Sequence, residues 1–270
     1  MKKKIIIVYL CSPYVPKNNF IKFIKNYKRY KSGINSELLI CYKNLTSSQI
    51  SFFQKKVRNL KYKEFFDETT KNDFDIGTFR RVAIKYNNHL LFFMDLHAYP
   101  VKKNWLKYFY DNYKKKTIIA STGSYQSISS NARYRTKGDN YILFFYKIIK
   151  FFILFPLFPN PHFRTTNFLI SAKDFLSYDF PKDISSKEDT WCIESGRNSM
   201  YYFFKKKKFK IYVVNSDNKL FSEKDWPKSE TYAFKEQSKK IMSDNHERKY
   251  SKLNLKERIK KSLTVWGYFE

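Results

Sequence analysis

The sequence predicts an α/β fold in which an open, Rossmann-like sheet is flanked by helices. Its first hydrophobic run, Ile5 to Leu10, is continuously β-branched, aliphatic or aromatic, as is typical of a parallel strand covered on both faces. Similar runs follow at His89 to Met94 and at Thr117 to Thr122. Because helical patterns separate the runs, we expect a largely parallel sheet with ligands beyond the carboxyl ends of its strands.

Shorter signals predict the remaining elements: aromatic residues at helical spacing, a Ser/Thr helix cap and short β-branched runs. They are a helix over 18–31, a strand over 37–42, a helix over 47–60, strands over 167–170 and 210–214, and a helical tail from Asp217. We expect one domain over residues 1–215, made of halves at 1–125 and 159–215 with an apolar segment at 140–158. Residues 216–270 are expected to form a charged helical extension packed on it.

The chain is strongly basic, with 53 Lys and Arg against 24 Asp and Glu and a net charge of +29. Such an excess favours anionic partners: nucleic acid, anionic lipid or phosphorylated substrates. A composition rich in Lys, Asn, Ile, Phe and Tyr is also what A/T-rich codons produce, so the charge has a second explanation. Helix-turn-helix, RNP and zinc-finger patterns are missing from the sequence, and we expect no nucleic-acid partner.

The cysteines and the N-terminus suggest the compartment. Cys11, Cys41 and Cys192 are far apart and lack CxxC spacing, which argues against a disulfide framework or a zinc knuckle and fits a reducing compartment. The first apolar run is too short for a signal peptide, and Pro13 and Pro16 interrupt it. We therefore expect a cytoplasmic protein.

The most apolar segment is residues 141–158. A membrane span of this length is disfavoured because Lys147 and Lys150 lie mid-segment and Pro156 interrupts it. Two interpretations remain. An interfacial helix would let its lysines reach lipid headgroups, whereas a core helix would keep them at its edge. The first predicts peripheral contact with an anionic membrane, at its inner face.

The first candidate site is Asp95 and His97, directly after a purely hydrophobic strand. Two residues apart at a strand end, these side chains are expected to point the same way, into the ligand crevice. A carboxylate and an imidazole could together hold Mn²⁺ or Mg²⁺, with diphosphate oxygens completing the coordination.

A second candidate group, Asp75, Gly77, Arg80 and Arg81, lies about twenty residues upstream. Gly77 could allow a ligand to approach the backbone, and either arginine could neutralise a phosphate with two hydrogen bonds. The alternative is a helix N-terminus capped by Asp75, with both arginines in solvent.

Two further groups lie in the second half of the chain. His162, Arg164 and Asn167 belong to a loop that leads into a strand, where they could donate hydrogen bonds to a diphosphate or an acceptor. Glu188 and Asp189 begin a predicted helix, and one of them could serve as a general base that removes a proton from an acceptor hydroxyl. The alternative is that this pair only complements the helix dipole in the first turn.

The order of these parts resembles the GT-A glycosyltransferases, particularly those of family 2. In that family a strand-end DxD or DxH motif binds metal and nucleotide diphosphate, and a later ED motif supplies the base. Asp95 and His97 match the first motif, and Glu188 and Asp189 match the second. Blocks at 160–165 and 188–198 also resemble a group of bacterial glycosyltransferase-like proteins, and the resemblance covers about residues 4–215.

The resemblance implies a GT-A sheet whose first half binds a nucleotide sugar and whose second half binds the acceptor. Asp189, in preference to Glu188, would be the base of an inverting transfer, with Mn²⁺ or Mg²⁺ at Asp95 and His97. The acceptor would be a glycan or a lipid-linked sugar in bacterial surface polysaccharide synthesis. No QxxRW motif follows the acidic pair, which implies transfer of a single sugar. The remaining residues expected to bind substrate are Asp75, Gly77, Arg80, Arg81, His162, Arg164, Asn167, Glu194, Arg197 and Asn198.

Overall fold

A computed structural model describes residues 4–14, 16–69, 71–136 and 138–269. Its strands are β1 (Ile5–Cys11), β2 (Glu37–Lys43), β3 (Tyr62–Asp67), β4 (Leu90–Met94), β5 (Tyr99–Pro100), β6 (Thr117–Ala120), β7 (Gly123–Ser124), β8 (His162–Phe163), β9 (Asn167–Ser171), β10 (Lys210–Val214), β11 (Leu220–Phe221) and β12 (Met242–Ser243). Its helices are α1 (Lys17–Arg29), α2 (Ser47–Val57), α3 (Phe74–Lys85), α4 (Trp105–Asp111), α5 (Ala132–Arg135), α6 (Tyr141–Leu154), α7 (Ala172–Leu176), α8 (Lys187–Ser195), α9 (Met200–Lys206), α10 (Asn245–Ser251) and α11 (Leu255–Trp266), with a 3₁₀ helix at Glu223–Ser229.

Eight of the described strands form one mixed sheet in the order β11-β10-β6-β9-β4-β1-β2-β3. Strands β3, β2, β1 and β4 are parallel to one another, and β6 is parallel to β10. Strand β9 lies between the two groups and runs antiparallel to both β4 and β6. The predicted α/β class, a large and mostly parallel sheet flanked by helices, is confirmed.

The connections place a topological switch point between β1 and β4. From β1 the chain adds β2 and β3 on one side, then returns to add β4 on the other side of β1. Helices leave the two strands in opposite directions at such a point, so a crevice opens at the carboxyl ends of the strands. In this chain those ends are followed by Ser12 and Asp95.

The core lies on both faces of the sheet, which explains why β1 reads as an unbroken hydrophobic run. Ile6, Val8 and Leu10 belong to the buried cluster on one face. Ile5, Ile7 and Tyr9 belong to the cluster on the other face. A strand that is covered on both sides has no polar position, so continuous rather than alternating hydrophobicity was the correct signal.

Two parts of the chain differ from the prediction. Strand β3 (Tyr62–Asp67) went unrecognised because it lies at the sheet edge and combines Lys63, Glu64 and Asp67 with its aromatic residues. The segment after Asp217 is not a helical tail throughout. It contains β11, β12 and the 3₁₀ helix before α10 and α11, and its Trp226 is fully buried. Within the described ranges, no helix is long and apolar enough to cross a membrane.

Candidate functional site

A cavity of about 690 Å³ lies at the carboxyl ends of the central strands. Asp95 and His97 after β4 and Ser12 after β1 contribute to its wall. Further wall residues come from the start of α3, from the segment around β8, from helix α8 and from the C-terminal part of the chain. They include Asp75, His162, Arg164, Thr166, Lys187, Thr190, Trp191, Glu194, Tyr232, Asn245, His246 and Lys261.

Backbone contacts fix the position of the loop after β4. The Asp95 N–H donates to the Thr166 carbonyl oxygen at 2.6 Å, which joins the end of β4 to the residue before β9. The hydroxyl of Tyr9 donates to the Leu96 carbonyl oxygen at 2.8 Å, and Arg248 Nη1 donates to the His97 carbonyl oxygen at 3.1 Å. The loop that carries the first predicted motif is therefore held from three sides.

The charges of Arg164 and Lys43 only partly offset the burial and mutual repulsion of the carboxyl groups in this part of the cavity. Burial, then the carboxylates of Asp244 and Asp75, raises the pKa of Asp95 to about 7. Burial, with a smaller contribution from Glu194, also raises the pKa of Asp75. Carboxyl groups that raise each other's pKa create a region of negative potential, which favours the binding of a cation.

Asp95 and His97 fit a divalent cation that receives the rest of its ligands from substrate. In the described part of the chain, no group of three or more His, Cys, Asp or Glu side chains could hold a metal ion alone. Burial, followed by the charge of Arg248, lowers the pKa of His97, so its imidazole is neutral, the form that binds metals. Its Nδ1 contacts the Asn19 amide, which leaves Nε2 as the possible ligand. Mg²⁺ and Mn²⁺ are often held by one or two protein ligands together with phosphate oxygens.

Arg164 is a buried cation of the cavity wall, as is Lys43, which pairs with Asp73. It is 6% exposed, its Nη2 lies 2.9 Å from Oδ2 of the fully buried Asp244, and its guanidinium lies 4.1 Å from the Tyr232 ring centre. Nη1 is buried and has no hydrogen-bond partner among the described residues. A buried donor without a partner costs free energy, which an anionic ligand in the cavity would recover.

Asp244, the acidic partner of Arg164, is joined to Glu247 at the start of helix α10. Oδ1 of Asp244 accepts the N–H groups of His246 and Glu247 at 2.7 and 2.9 Å, which caps helix α10. Burial alone would raise the pKa of Asp244, but Arg164 and the helix N–H groups lower it below its usual value. Burial and the neighbouring Asp244 raise the pKa of Glu247 well above its usual range. The C-terminal segment is therefore part of the cavity wall, a role that the sequence did not indicate.

His162 and Glu194 both line the cavity, and the charge of Glu194 acts on the His162 ring. Nδ1 of His162 donates to the Asn160 carbonyl oxygen at 2.8 Å. Burial lowers the pKa of His162, so its imidazole is neutral and its Nε2 can accept a hydrogen bond. Oε1 of Glu194 accepts the Thr165 N–H at 3.0 Å, leaving Oε2 available. Both were predicted to bind substrate, and both line the cavity.

Glu188 and Asp189 do not line the cavity, although other residues of α8 do. Oδ2 of Asp189 accepts the N–H of Ser186 at 2.8 Å and the N–H of Ser185 at 3.0 Å, as part of a capping box. Glu188 forms an ion pair with Lys150 at 2.6 Å. These contacts match the alternative in which the pair serves the first turn of the helix. The residues of α8 that line the cavity are Lys187, Thr190, Trp191 and Glu194.

In the second group, only Asp75 lines the cavity. Arg81 donates to Oδ1 and Oδ2 of Asp67 at 2.6 and 2.7 Å and to Oδ2 of Asp73 at 2.6 Å. Arg80 is exposed and stacks over the Phe180 ring at 5.4 Å. A Cβ on Gly77 would lie 2.0 Å from the Asp73 carboxylate, so this glycine permits packing against that network.

Besides Gly77, Arg80 and Arg81, three further predicted substrate-binding residues lie outside the cavity wall. The Arg197 side chain donates to the carbonyl oxygens of Ile153 and Phe152 at 2.9 and 3.0 Å, at the C-terminus of α6. Asn198 is exposed, and its carbonyl oxygen accepts the Tyr178 hydroxyl. Asn167 is fully buried at the start of β9, and neither polar atom of its side chain has a partner in the described structure.

Sequence reasoning missed Ser12, Thr166, Tyr232, Asn245, His246 and Lys261 in the cavity wall. For Ser12 a signal existed, since it is the first polar residue after β1, as Asp95 is after β4. Its hydroxyl is buried without a partner in the described residues, as is that of Thr166. No local pattern marks the four C-terminal residues, because they reach the cavity through tertiary contacts alone.

Several solved structures share part of this arrangement of strands and helices. One is the galactosyltransferase LgtC in complex with donor and acceptor sugar analogs, with a TM-score of 0.45, 10% identity and coverage of 78% of this chain and 73% of that chain. Another is the mannosyltransferase Ktr4p from S. cerevisiae, with a TM-score of 0.38, 8% identity and coverage of 76% and 61%.

A third is the mannosyltransferase PcManGT from Pyrobaculum calidifontis in complex with GDP-Man and Mn²⁺, with a TM-score of 0.38 and 8% identity. It is matched over 49% of this chain, which spans only 41% of that protein's length. No protein-family model matches the sequence, and neither does any curated protein. Likenesses of this size do not decide the family or the activity of the chain.

Proposed function

We propose that this protein is a glycosyltransferase that binds a nucleotide sugar in the cavity and transfers one sugar to an acceptor hydroxyl. One observation carries the proposal: a single cavity is lined both by Arg164, whose buried Nη1 has no partner among the described residues, and by the carboxylates of Asp75, Asp95 and Glu194. Its position at the switch point of the sheet is where ligands of open α/β folds bind. The sequence resemblance to GT-A enzymes points to the same chemistry.

The guanidinium of Arg164 and the hydroxyls of Ser12 and Thr166 are the proposed donors to the diphosphate. Each has a buried polar atom without a partner in the described residues, and each lines the cavity. Hydrogen bonds from a fixed guanidinium stabilise negative charge that develops on a leaving group. Arg164 is held in place by Asp244 and Tyr232, so it needs little rearrangement to do so.

Asp95 and His97 are the residues that would hold a divalent cation, Mn²⁺ or Mg²⁺. When bound, such a cation supplies Lewis-acid neutralisation of the departing diphosphate. Burial is the main reason for the raised pKa of Asp95, and the carboxylates of Asp244 and Asp75 add to it; the negative potential of these neighbours is the feature of this chain that favours a cation.

Glu194 is the proposed general base. It lies on the cavity side of α8, with Oε1 oriented by the Thr165 N–H. The sequence-based prediction gave this role to Asp189, whose carboxylate caps its own helix. A general base must come within hydrogen-bond reach of the acceptor hydroxyl, and the position of Glu194 in the cavity wall supports this role. Inversion at the anomeric carbon, and an acceptor in bacterial surface polysaccharide or glycan synthesis, are the finer parts of the proposal.

The test is release of nucleoside diphosphate from a panel of UDP-, GDP- and dTDP-linked sugars, with and without Mn²⁺. We expect slow hydrolysis of at least one donor, acceleration by an acceptor sugar and loss of activity in excess chelator. Binding of a donor without any release, under all acceptor conditions, would favour a non-catalytic binding protein on the same scaffold. Neither binding nor release of any donor would contradict the proposal.

A further inference from the structure

Helix α6 exposes an apolar surface, although it belongs to a folded domain. A surface helix normally turns polar residues to solvent, whereas this one turns apolar residues to solvent. Tyr141 and Ile142 are each 85% exposed, and Ile149 and Ile153 are 60% and 63% exposed. Ile142, Phe145, Tyr146 and Ile149 recur at the helical spacing i, i+3, i+4 and i+7, and Phe152 and Ile153 continue it, so they form an outward stripe. The other exposed large apolar residues in and just after α6 are Tyr141, Leu143, Leu157 and Phe158.

The opposite face of α6 is anchored to the protein. Phe151 is buried in a cluster with Ile128, Ala132 and Phe155. Lys147 pairs with Asp139 at 2.9 Å, and Lys150 pairs with Glu188 at 2.6 Å. Helix α6 is therefore a fixed part of the domain, and its outward stripe is a surface that the described structure leaves uncovered.

The buried face of α6 adjoins the cavity. Ile128 lines the cavity and also belongs to the buried cluster beneath α6. Trp191 lines the cavity and packs against the same cluster. Whatever covers the stripe of α6 is thus separated from the cavity by this helix and the cluster beneath it.

Exposed cations lie on the segments that contact α6. Arg133 lies on α5, Lys187 begins α8 and Arg197 follows α8. All three are exposed, and none forms an ion pair within the described ranges. Together with the net charge of +29, they give this side of the molecule the apolar surface and the positive border that an anionic bilayer attracts.

We propose that α6 docks on an anionic lipid bilayer with its outward stripe among the headgroups, and that the acceptor reaches the cavity from that bilayer. The part that concerns the acceptor rests on the proposed glycosyltransferase function, and it assigns a lipid-linked acceptor. The exposed stripe inserts its apolar side chains, while Arg133, Lys187 and Arg197 contact anionic headgroups. Contact by one helix lying in the interface requires no membrane span.

A second copy of this chain is the other possible occupant. The bordering cations disfavour it, because two identical positive borders would meet across a symmetric interface. This alternative is an outcome of the experiment, since self-association would be visible without vesicles.

The experiment is co-sedimentation of the full chain with phosphatidylcholine vesicles, with or without phosphatidylglycerol. The test variant is Ile149→Gln with Ile153→Gln, at positions 60% and 63% exposed. Its matched control is Ile84→Gln with Leu255→Gln, at helical positions that are 57% and 66% exposed but lie outside the stripe. We expect wild type and control to bind anionic vesicles, binding to weaken at high salt, and the test variant to bind about tenfold or more weakly.

Equal vesicle binding by the test variant and the control would overturn docking through α6, as would no binding by wild type. A wild-type dimer in vesicle-free sedimentation that the test variant makes monomeric would also overturn it and identify a second copy as the occupant. Nucleotide-sugar binding is measured on the same proteins without vesicles. Donor binding without vesicle binding would remove only the membrane proposal. Vesicle binding without donor binding would remove the proposed function and leave the docking surface.

Discussion

Arg81 and Arg164 both lie beside carboxylates, but they differ in how many of their N–H groups have hydrogen-bond partners. Arg81 makes four hydrogen bonds to Asp67 and Asp73, one to each carboxylate oxygen. Lys43 also donates to Oδ1 of Asp73, and Thr78 also donates to Oδ2 of Asp67. Arg164 pairs with a single carboxylate, Asp244, and its Nη1 remains without a partner in the described structure.

The difference separates a structural network from a binding site. Around Arg81 the charges neutralise each other, and no ligand is needed to complete the hydrogen bonds. Around Arg164 one buried donor has no partner among the described residues, and burial with neighbouring carboxylates disfavours the charged form of Asp95. A ligand that accepts from Arg164 and brings a cation to Asp95 would satisfy both groups. The two carboxylates of helix α8 show the same contrast, since Asp189 is used by its helix cap and Glu194 lines the cavity.

The contrast within α8 predicts the largest effect. Glu194→Gln should lower the rate of sugar transfer by about 10²–10⁴-fold, because a general base contributes an effect of this size. Asp189→Asn should leave turnover within a few fold of wild type and lower the stability by about 1 kcal/mol, the usual cost of a weakened helix cap. The measurement is kcat with the donor that the panel identifies. The opposite ranking of the two variants would return the base role to Asp189.

The network of Arg81, Asp67 and Asp73 predicts that its disruption lowers the stability of the protein but not its affinity for the donor. Arg81→Met leaves the buried Asp67 and the nearly buried Asp73 with less compensating charge, and should lower the free energy of unfolding by about 3 kcal/mol. Urea unfolding measures this change. Donor affinity of the folded variant should stay close to that of wild type, and a large drop would mean that Arg81 contacts the ligand after all.

The site around Arg164 predicts the opposite result, a loss of donor affinity that exceeds the loss of stability. Arg164→Lys keeps a positive charge beside Asp244 but loses the second arm of the guanidinium. It should weaken donor binding by about 10–100-fold, the equivalent of one charge-assisted hydrogen bond. Titration calorimetry provides the affinity and urea unfolding the stability. A variant that is destabilised as strongly as Arg81→Met but binds donor normally would make Arg164 another structural residue.

The smallest effect is expected at Ser12. Its buried hydroxyl has no partner among the described residues, so Ser12→Ala should cost little stability or none. If the hydroxyl donates a hydrogen bond to the diphosphate of the nucleotide sugar, the affinity of Ser12→Ala for the nucleotide sugar should fall by about 2–10-fold. The same calorimetric titration measures it, and unchanged affinity would remove Ser12 from the donor site.

The strand-end part of the site was predictable because its signal is local. A polar residue that follows a wholly apolar run must leave the sheet at its carboxyl edge, which is how Asp95 and His97 were found. Helix α8 was predicted, but its cavity-facing side was not. Lys187, Thr190, Trp191 and Glu194 follow the spacing i, i+3, i+4 and i+7, whereas Asp189 lies roughly 140° around the helix from Glu194.

The C-terminal wall could not be predicted from local patterns. Tyr232 and Asp244 meet Arg164 across about 70 to 80 residues of chain, through a cation–π contact and a buried ion pair. Periodicity reports which face of an element is apolar, but it does not report which distant element covers that face. The charged C-terminal segment was therefore predicted as a helical extension packed on the domain and not as part of the cavity wall, although Asp244 and Glu247 within it are fully buried.

The central claim is that the cavity binds a nucleotide sugar through Arg164. Its most direct test is the thermal unfolding of wild type and Arg164→Lys with each nucleotide sugar, with and without Mn²⁺. At a ligand concentration about 100 times Kd, binding to the folded state adds about 2.7 kcal/mol, so Tm should rise by several degrees for wild type. The rise should be larger with Mn²⁺, and Arg164→Lys, with about 10–100-fold weaker binding, should lose roughly half of it or more. No rise with any donor under either condition, or an equal rise in both proteins, would contradict the account.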